Sequence, residues 1–315
     1  MEKNKGTALI LILLFLLLLV SLILRITENS HRRLDSLIAC DLKLEGLSLC
    51  WGGINYGLQI LSKDEDRKVD WLGEDWAKGP FEWENGKVRI WIEDEERKIN
   101  LNFLKKEKEK RKRIEQLLEL CDITSVPYTI VPSLLDWIDE DEEVTVLPFI
   151  RGENCGAEEE YYTSLPHPYH VKNALLDVPE EILLIRGMKE EFWLKEDGWR
   201  DKVTVWGNGK INVNTASFQV LKATLQVYSK EIMDDSLIKE LIEVRESQPF
   251  DSLKTFAKFL PVGVGKKIIK STLIDVKSSS FSIIAEVKLE KIRVKIKSVW
   301  EREDEEFRLK YLRVF

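Results

Sequence analysis

The sequence is poor in the residues that usually build transition-metal sites. It holds three His and four Cys, and no two cysteines have the C-x-x-C spacing of zinc and redox motifs. His31, His167 and His170 form no metal-ligand pattern with the acidic residues. Asp and Glu are plentiful instead, so a hard cation such as calcium is the metal that this composition favours.

Positive charge is also in short supply. The chain carries 48 Lys and Arg against 55 Asp and Glu, which gives a formal net charge of −7. Affinity for nucleic-acid phosphates comes mainly from Lys and Arg, so this balance argues against a general nucleic-acid binder. The 315 residues, with ten Trp among them, are enough to bury a substantial core in one or two compact units.

Residues 7–24 lack charge altogether, and only Thr7 and Ser21 among them are polar. Their number matches the roughly 17–25 residues that a helix needs to span a bilayer. Such a start is compatible with a cleaved secretory signal, a permanent anchor or the spine of an assembled fibre. No small-residue cleavage site follows Leu24, which favours retention of the helix. The basic residues before the span predict a cytoplasmic leader and an exported body.

An apolar stripe continues this helix to about residue 61. Its members recur at steps of three and four: Leu37, Cys40, Leu44, Leu47, Trp51, Ile54, Leu58 and Leu61. We expect this stripe to face a core rather than to form a two-chain coiled coil, which needs a longer clean repeat. The glycines within it predict a close backbone approach to a sheet or another helix. Cys40 and Cys50 lie about 15 Å apart along such a helix, too far to bridge, and we expect both to act as small core residues.

The rest of the chain predicts an α+β fold. Asn85-Gly86 is a hairpin signal, residues 280–297 alternate as two strands, and residues 307–315 can add a third. The segment at residues 98–102 is echoed at residues 210–214, and we expect the two pieces to lie close together, with an all-helical insertion between them. Asn214 or Thr215 is expected to cap the helix that follows.

The most acidic segment of the chain predicts a cation site. Five consecutive carboxylates at residues 139–143 repel one another unless they are solvated or bridged by a cation. Calcium prefers six to eight oxygen ligands, although the spacing here is not that of an EF-hand, and a plain acidic loop is the alternative. The candidate calcium ligands are Asp136, Asp139, Asp141, Glu142, Glu153 and Glu158.

Two other chemistries are open to the same segment. Asp136, Asp139 and Glu158 can form an acid/base pair, but no nucleophile or sugar-binding motif accompanies them, so we predict no enzyme. Cys121 and Cys155 flank the segment. If the body is extracytoplasmic, they are candidates for a disulfide that stabilises by roughly 2–4 kcal/mol.

The first sixty residues resemble the type IV pilin and pseudopilin class, with a short basic leader that ends in Gly6. The resemblance implies that prepilin peptidase cuts after Gly6 and leaves Thr7 as the mature N-terminus. Most members carry Glu at the fifth mature position, where this chain has Leu11. A charged Glu is costly in a bilayer unless it pairs with a neighbouring amino terminus, so a subunit that lacks it suits a fibre tip better than a repeating position.

Three later motifs narrow the resemblance. The runs DWIDED at 136–141, GAEEEYY at 156–162 and KINVNTA at 210–216 resemble the minor pseudopilin K family of the type II secretion system, over essentially the whole chain. The family implies a pilin-like long helix packed on an antiparallel sheet, a large helical insertion domain, calcium sites, and the minor pseudopilins I and J as partners. It also implies a single-pass inner-membrane protein with a periplasmic body, which initiates or caps a short pseudopilus for export of folded proteins across the outer membrane.

The resemblance predicts six segments along the chain. They are a leader (1–6), the transmembrane part of the helix (7–24), the pilin-like helix and first strands (25–102), a helical insertion with the acidic loop (103–210), a SAM/helix-hairpin-helix-like region (211–279) and the C-terminal strands (280–315).

A membrane-anchored DNA-binding protein is the alternative. Residues 211–216 and the run VGVGKK at 262–267 also resemble the helix-hairpin-helix of competence DNA receptors, whose Gly-apolar-Gly hairpin presents N–H groups to phosphate. The first hairpin, however, lacks its glycine pair between Leu221 and Ile238. Lys266, Lys267 and Lys270 are the only basic group nearby, so we expect this motif to be a packing module.

Overall fold

The computed structural model describes residues 3–64, 66–105, 109–150, 152–290, 292–303 and 306–315, with side chains from residue 9 onward. Its helices are α1 Lys3–Ser62, α2 Lys110–Thr124, α3 Ile130–Ile138, α4 Glu159–Thr163, α5 Glu190–Leu194, α6 Phe218–Gln226, α7 Asp235–Ser247, α8 Leu253–Ala257 and α9 Val262–Ile268. Its strands are β1 Phe81–Trp83, β2 Val88–Asp94, β3 Ile99–Asn100, β4 Val203–Thr204, β5 Ile211–Asn212, β6 Ile274–Asp275, β7 Ser280–Leu289, β8 Ile292–Glu303 and β9 Glu306–Val314.

The predicted spine is one continuous helix. Helix α1 runs for 60 residues, so the apolar start and the amphipathic half form a single element. Its portion from Leu9 onward is long and apolar enough to cross a membrane by length and composition. The apolar side chains of this start are exposed, from Leu19 at 37% to Leu11 at 67%, because nothing in the described body covers them.

The C-terminal half of α1 packs on a five-stranded antiparallel sheet of order β1-β2-β7-β8-β9. Glycines permit the approach, as predicted. A Cβ atom on Gly46 would lie 2.6 Å from Val294 Cγ2, and one on Gly57 would lie 2.9 Å from Ile283 Cγ2. The inward side chains of the sheet include Val88 and Ile90, which form one core with the helix.

The prediction that both cysteines of α1 are core residues is half wrong. Cys50 is buried, and its Sγ donates a hydrogen bond to the Val294 carbonyl at 3.5 Å. Cys40 is exposed, and so are Leu37 and Leu44. Gly46 is the first buried residue in the described part of the helix and Leu42 is only half-buried, so the earlier turns of the stripe lie beyond the reach of the body.

The hairpin β1–β2 lies where Asn85-Gly86 predicts it. Its turn has left-handed φ angles of 50°, 55° and 79° at Glu84, Asn85 and Gly86. At the other end of the chain, β8 and β9 pair antiparallel from Glu303↔Glu306 to Ile296↔Val314.

A second body is inserted between two neighbouring strands of this sheet. The chain leaves at the end of β2, builds a large hydrophobic core from α2–α9, and returns at the start of β7. Asp94 is paired with Phe281 at this exit and return point, which lies at the end of the sheet next to the end of α1. The inserted body therefore emerges from the end of the spine that is remote from its apolar start.

The two echoing segments do not pair with each other. Ile99 pairs in parallel with Val203, and Ile211 pairs in parallel with Ile274. Asn212 Nδ2 lies 3.3 Å from Asp94 Oδ2, so the second segment contacts the end of β2, four positions before the first segment begins. The expected cap was wrong: Ser217 caps α6, and its hydroxyl accepts from the Val220 N–H at 3.4 Å.

Candidate functional site

The acidic segment is built on a fully buried helix. Every residue of α3 is buried, and Asp136 in its last turn is 0% exposed. Asp136 Oδ1 accepts a hydrogen bond from the Thr145 N–H at 2.9 Å, whereas its Oδ2 has no hydrogen-bond partner among the described residues. A Cβ atom on Gly156 would lie 2.0 Å from Oδ2, so a glycine is needed where the loop passes this carboxylate.

The loop after α3 folds back over the end of the helix. The Gly156 N–H donates to the Thr145 carbonyl at 2.8 Å, and the Leu147 N–H donates to the Asn154 carbonyl at 2.9 Å. These bonds close the loop into a hairpin-like excursion. They bring Glu158, which is 22 positions after Asp136 in the chain, to the end of α3.

Three predicted ligands converge here. Asp139, Asp141 and Glu158 each offer a carboxylate oxygen, and these atoms lie within 4.8 Å of one another. Glu158 is only 5% exposed, and neither of its carboxylate oxygens has a hydrogen-bond partner among the described residues. The Asp139 Oδ1 atom is buried and unpartnered as well. Buried carboxylate oxygens without donors are costly, and a bound cation would satisfy them.

The electrostatics of this cluster point the same way. Burial, and then the neighbouring carboxylates of Asp136 and Asp139, raise the pKa of Glu158 to about 7. Burial, and then the charges of Asp141 and Asp136, raise the pKa of Asp139 to about 6. Each group thus resists ionisation because other negative charges surround it in a partly desolvated place. A divalent cation bound among these carboxylates would lower their pKa values again and favour the ionised form.

The remaining predicted ligands have different places. Glu142 lines the same surface cavity of about 480 Å³ as Glu158. Glu153 lies outside the cluster: its Oε2 forms an ion pair with Arg186 at 3.6 Å and accepts from the Thr129 hydroxyl at 3.4 Å. The residues whose oxygens converge closely enough to share a calcium ion are therefore Asp139, Asp141 and Glu158. The buried Asp136, whose Oδ2 is unpartnered, and Glu142 are the further oxygen donors beside them.

The predicted bridge between Cys121 and Cys155 is not formed in the structure. Cys121 is a buried free thiol in α2, and Cys155 is an exposed free thiol on the loop. Burial raises the pKa of Cys121 well above its usual range. Cys155 instead pairs through its backbone with Val146, which holds it at the surface, away from the core that contains Cys121.

The structure contains a second acidic cluster that the sequence analysis does not predict. Asp64, Asp70 and Glu74 also bring carboxylate oxygens within 4.8 Å of one another. This cluster contains its own cation, since Arg302 places one guanidinium nitrogen 3.0 Å from Asp70 and the other 3.2 Å from Asp64. Arg302 lies 232 positions from Asp70, and no local pattern connects the two.

A buried polar junction joins the sheet to the inserted body. Asp94 Oδ2, at the end of β2, accepts from the Thr215 hydroxyl at 2.5 Å and the Ser278 hydroxyl at 2.6 Å. Asn212 Nδ2 donates to the Ser278 hydroxyl at 2.8 Å and to the Asp70 carbonyl at 2.9 Å. The KINVNTA motif therefore serves the attachment of the body rather than a helix cap.

The hairpin-like region behaves as a packing module. A Cβ atom on Gly265 would lie 2.7 Å from the Ala257 carbonyl oxygen, so this glycine lets α9 pack against α8. Lys267, one of the three lysines of this region, donates to the Tyr228 carbonyl at 2.9 Å. Gly6 and Thr7 lie within α1, before the part of the chain whose side chains are described, and cleavage between them stays a prediction.

Comparisons with known proteins agree with this architecture. A family model described as "Type II secretion system (T2SS), protein K" matches residues 97–196, the part that holds the acidic cluster. Type II secretion system protein K of Pseudomonas aeruginosa is 29% identical over 233 residues, 70% of this chain and 63% of that protein. The Aeromonas hydrophila protein K is 24% identical and aligned over 92% of each chain. The chain is thus similar to type II secretion system protein K in its inserted body and, at 24–29% identity, over 70–92% of its length.

A solved structure has the same fold as this chain. A chain in the crystal structure of the GspK-GspI-GspJ complex from enterotoxigenic Escherichia coli superposes with a TM-score of 0.67. The match covers 86% of this chain and 96% of that chain at 19% sequence identity. The predicted α+β architecture, a long helix on an antiparallel sheet with a helical insertion, is thus confirmed.

Proposed function

We propose that this chain is the minor pseudopilin at the tip of the type II secretion pseudopilus, where it initiates or caps assembly for export of folded proteins across the outer membrane. The observation that carries the proposal is the position of the inserted body. The body leaves and rejoins the sheet at Asp94 and Phe281, beside the end of α1 that is remote from the membrane-spanning part. A subunit with such bulk beyond its spine leaves no room for another subunit above it.

The surface of α1 supports assembly with other helices. One side of the helix packs on the sheet through Gly46 and Gly57, while Trp51 on another side is 41% exposed and Leu44 is 60% exposed. Leu11 places an apolar residue where a repeating subunit of the class usually has a carboxylate. These features suit a helix that packs against the helices of other subunits at the end of the fibre. The partners are the minor pseudopilins I and J, the proteins named with protein K in the solved complex.

The anchor determines the location. The leader is cytoplasmic, α1 spans the inner membrane once after cleavage behind Gly6, and the body is periplasmic. The acidic cluster binds calcium through Asp136, Asp139, Asp141 and Glu158, with Glu142 at its margin. This calcium site is supported by the buried carboxylate oxygens of the cluster, which have no hydrogen-bond donor among the described residues.

Co-purification tests the assembly. The full-length chain is co-expressed with minor pseudopilins I and J from the same genome, extracted in mild detergent and isolated through a tag on one partner. We expect a stable complex that contains all three proteins, with the major pseudopilin as a matched control that is not retained at equal stoichiometry. Failure of I and J to retain the chain would contradict the proposal.

A further inference from the structure

The outer face of the sheet differs in character from the face that packs on α1. In β2, Val88 and Ile90 are buried against the helix, whereas Arg89 and Trp91 point to the opposite side. The alternation of a β-strand applies equally to β7 and β8, so every second residue of these strands also lies on the outer face. This face is opposite α1 and is not used by the helix packing of the proposed function.

The strand register gathers cations on this outer face. Lys288 is paired with Arg293, Arg89 and Lys295 are both paired with Glu286, and Arg313 is paired with Lys297. Neighbouring strands lie about 4.8 Å apart, so these side chains form a continuous surface across four strands. We name five of them the basic face: Arg89, Lys288, Arg293, Lys295 and Arg313. Lys297 is left out because its Nζ lies 3.8 Å from Glu95 and over the Trp206 ring.

The carboxylates of the neighbouring strands lie at the Arg89 side of the basic face, where Glu82 of β1 and Glu286 of β7 are both paired with Arg89. Glu286 is 7% exposed and is shared by Arg89, at 3.7 Å, and by Arg293. Within the ranges that the structure describes, Lys288, Lys295 and Arg313 have no carboxylate oxygen within 4.0 Å. Like charges held side by side on a sheet are destabilising, so a charge partner from another molecule would be favourable.

An aromatic residue lies among these cations. Phe315 is 54% exposed, and its ring is 4.7 Å from the Arg313 guanidinium carbon and 5.9 Å from Lys295 Nζ. Towards the inserted body, the outer face is closed: Trp206 stacks on Tyr311 at 5.1 Å. The open part of the face is therefore a bounded, cationic and partly aromatic surface on a protein whose net charge is −7.

We propose that the basic face is a docking surface for an acidic polypeptide segment of a partner protein. Guanidinium and ammonium groups bind carboxylates through charge-assisted hydrogen bonds, and Phe315 offers apolar contact between them. A lipid surface fits less well. Leu24 and Gly46 are 22 positions apart in α1, which is about 33 Å at 1.5 Å per residue, whereas the Debye length is about 8 Å at physiological salt.

The test uses the full chain in neutral detergent and a fluorescent octa-glutamate peptide, with octa-glutamine as the neutral control peptide. We expect salt-sensitive binding of octa-glutamate alone. The triple variant Lys288→Glu, Lys295→Glu, Arg313→Glu should bind it at least about tenfold more weakly, since it reverses the charges that lack carboxylate partners. The matched control is Lys254→Glu, Lys258→Glu, Lys270→Glu, which changes the net charge equally on exposed sites of the inserted body and should bind like the wild type.

Several results would overturn the proposal. They are no binding of octa-glutamate by the wild type, equal binding of the two peptides, or an equal loss in the control variant. Binding of phosphatidylglycerol vesicles or a DNA oligonucleotide through the basic face, without binding of octa-glutamate, would also reject it. If the Glu variant does not fold, the triple Lys288→Gln, Lys295→Gln, Arg313→Gln gives the same comparison. Assembly with pseudopilins I and J uses α1, so its outcome is independent of these results.

Discussion

The Thr215 hydroxyl donates a 2.5 Å hydrogen bond to Asp94 Oδ2 across 121 positions of sequence. Asp94 ends the second strand of the sheet, and Thr215 belongs to the inserted body, so this bond ties the two units together. Both residues are buried, at 1% and 0% exposure. The same carboxylate accepts from the Ser278 hydroxyl at 2.6 Å, just before the chain returns to the sheet.

Replacement of Asp94 tests whether this junction stabilises the protein. Asp94→Ala leaves the hydroxyls of Thr215 and Ser278 and the Glu96 N–H without their acceptor. Each unsatisfied buried donor costs about 1–3 kcal/mol, so we expect a loss of about 3 kcal/mol or more in the free energy of unfolding, measured by urea titration of the full chain in detergent. Glu93→Ala, next to it on a half-exposed site, is the control and should cost less than about 1 kcal/mol. Equal losses would argue against the junction.

The stability of the junction should depend on pH. Burial raises the pKa of Asp70 to about 7, with Arg302 opposing the shift and Asp94 and Asp64 adding to it. A carboxyl whose pKa is raised on folding binds its proton more tightly in the folded state, so its contribution is complete below the unfolded pKa near 4 and is lost as pH rises through about 7. Glu96, with a pKa raised by burial to about 7, acts in the same direction.

We therefore expect the free energy of unfolding to fall between pH 5 and pH 8. Asp70→Asn cannot titrate at this position and should flatten the fall, measured by urea titration at a series of pH values. Asp75→Asn is the control, because Asp75 is exposed and its pKa is lowered by Lys78. If the free energy of unfolding of Asp70→Asn falls with pH as steeply as that of the wild type, Asp70 is not the group that titrates.

Two glycine-to-alanine changes should have opposite effects. Alanine favours a helix by about 1 kcal/mol over glycine, but on Gly46 its Cβ would lie 2.6 Å from Val294 Cγ2 and 3.1 Å from Val294 Cβ. Overpacking of this kind costs about 1–3 kcal/mol, so Gly46→Ala should lower the free energy of unfolding. Gly263 lies in α9, where an added Cβ atom would meet no described atom within 4 Å, so Gly263→Ala should be neutral or stabilising by up to about 1 kcal/mol. Thermal unfolding of both variants checks this pair, and stabilisation by Gly46→Ala would show that α1 packs less closely.

Calcium should stabilise the inserted body through the acidic cluster. A ligand that binds only the folded state at 100 times its Kd adds about 2.7 kcal/mol, so calcium should raise the Tm of the full chain and chelator should reverse the effect. Glu158→Gln removes a central carboxylate and should abolish most of the shift. Glu153→Gln is the matched control, since Glu153 pairs with Arg186 outside the cluster. A shift that is absent in the wild type, or equally reduced in both variants, would contradict the calcium site.

The sequence predicts those features that depend on local periodicity or turn chemistry. The steps of three and four in α1, the Asn85-Gly86 turn and the alternation in residues 280–297 are each determined within a few residues, and the structure confirms them. The prediction for Cys40 is wrong because periodicity shows which face is apolar, while the extent of the sheet determines where that face is covered.

The sequence predicts which segment carries the acidic cluster, but not which of its carboxylates come together. Asp139 and Asp141 are neighbours in sequence, and Glu158 joins them only because the loop folds back through its backbone bonds at Thr145 and Gly156. Glu153 lies in the same acidic segment of the sequence, yet its carboxylate forms an ion pair with Arg186, 33 positions later, outside the cluster. The Asp94 junction depends on contacts across more than one hundred positions, and no local pattern reports these.

In the proposed function this chain occupies the end of its fibre. The most direct measurement is immunogold electron microscopy of assembled pseudopili, with an antibody against the inserted body of the full-length chain and one against the major pseudopilin as a control along the shaft. We expect gold from the first antibody at one end of each fibre only. Labelling distributed along the shaft would contradict it.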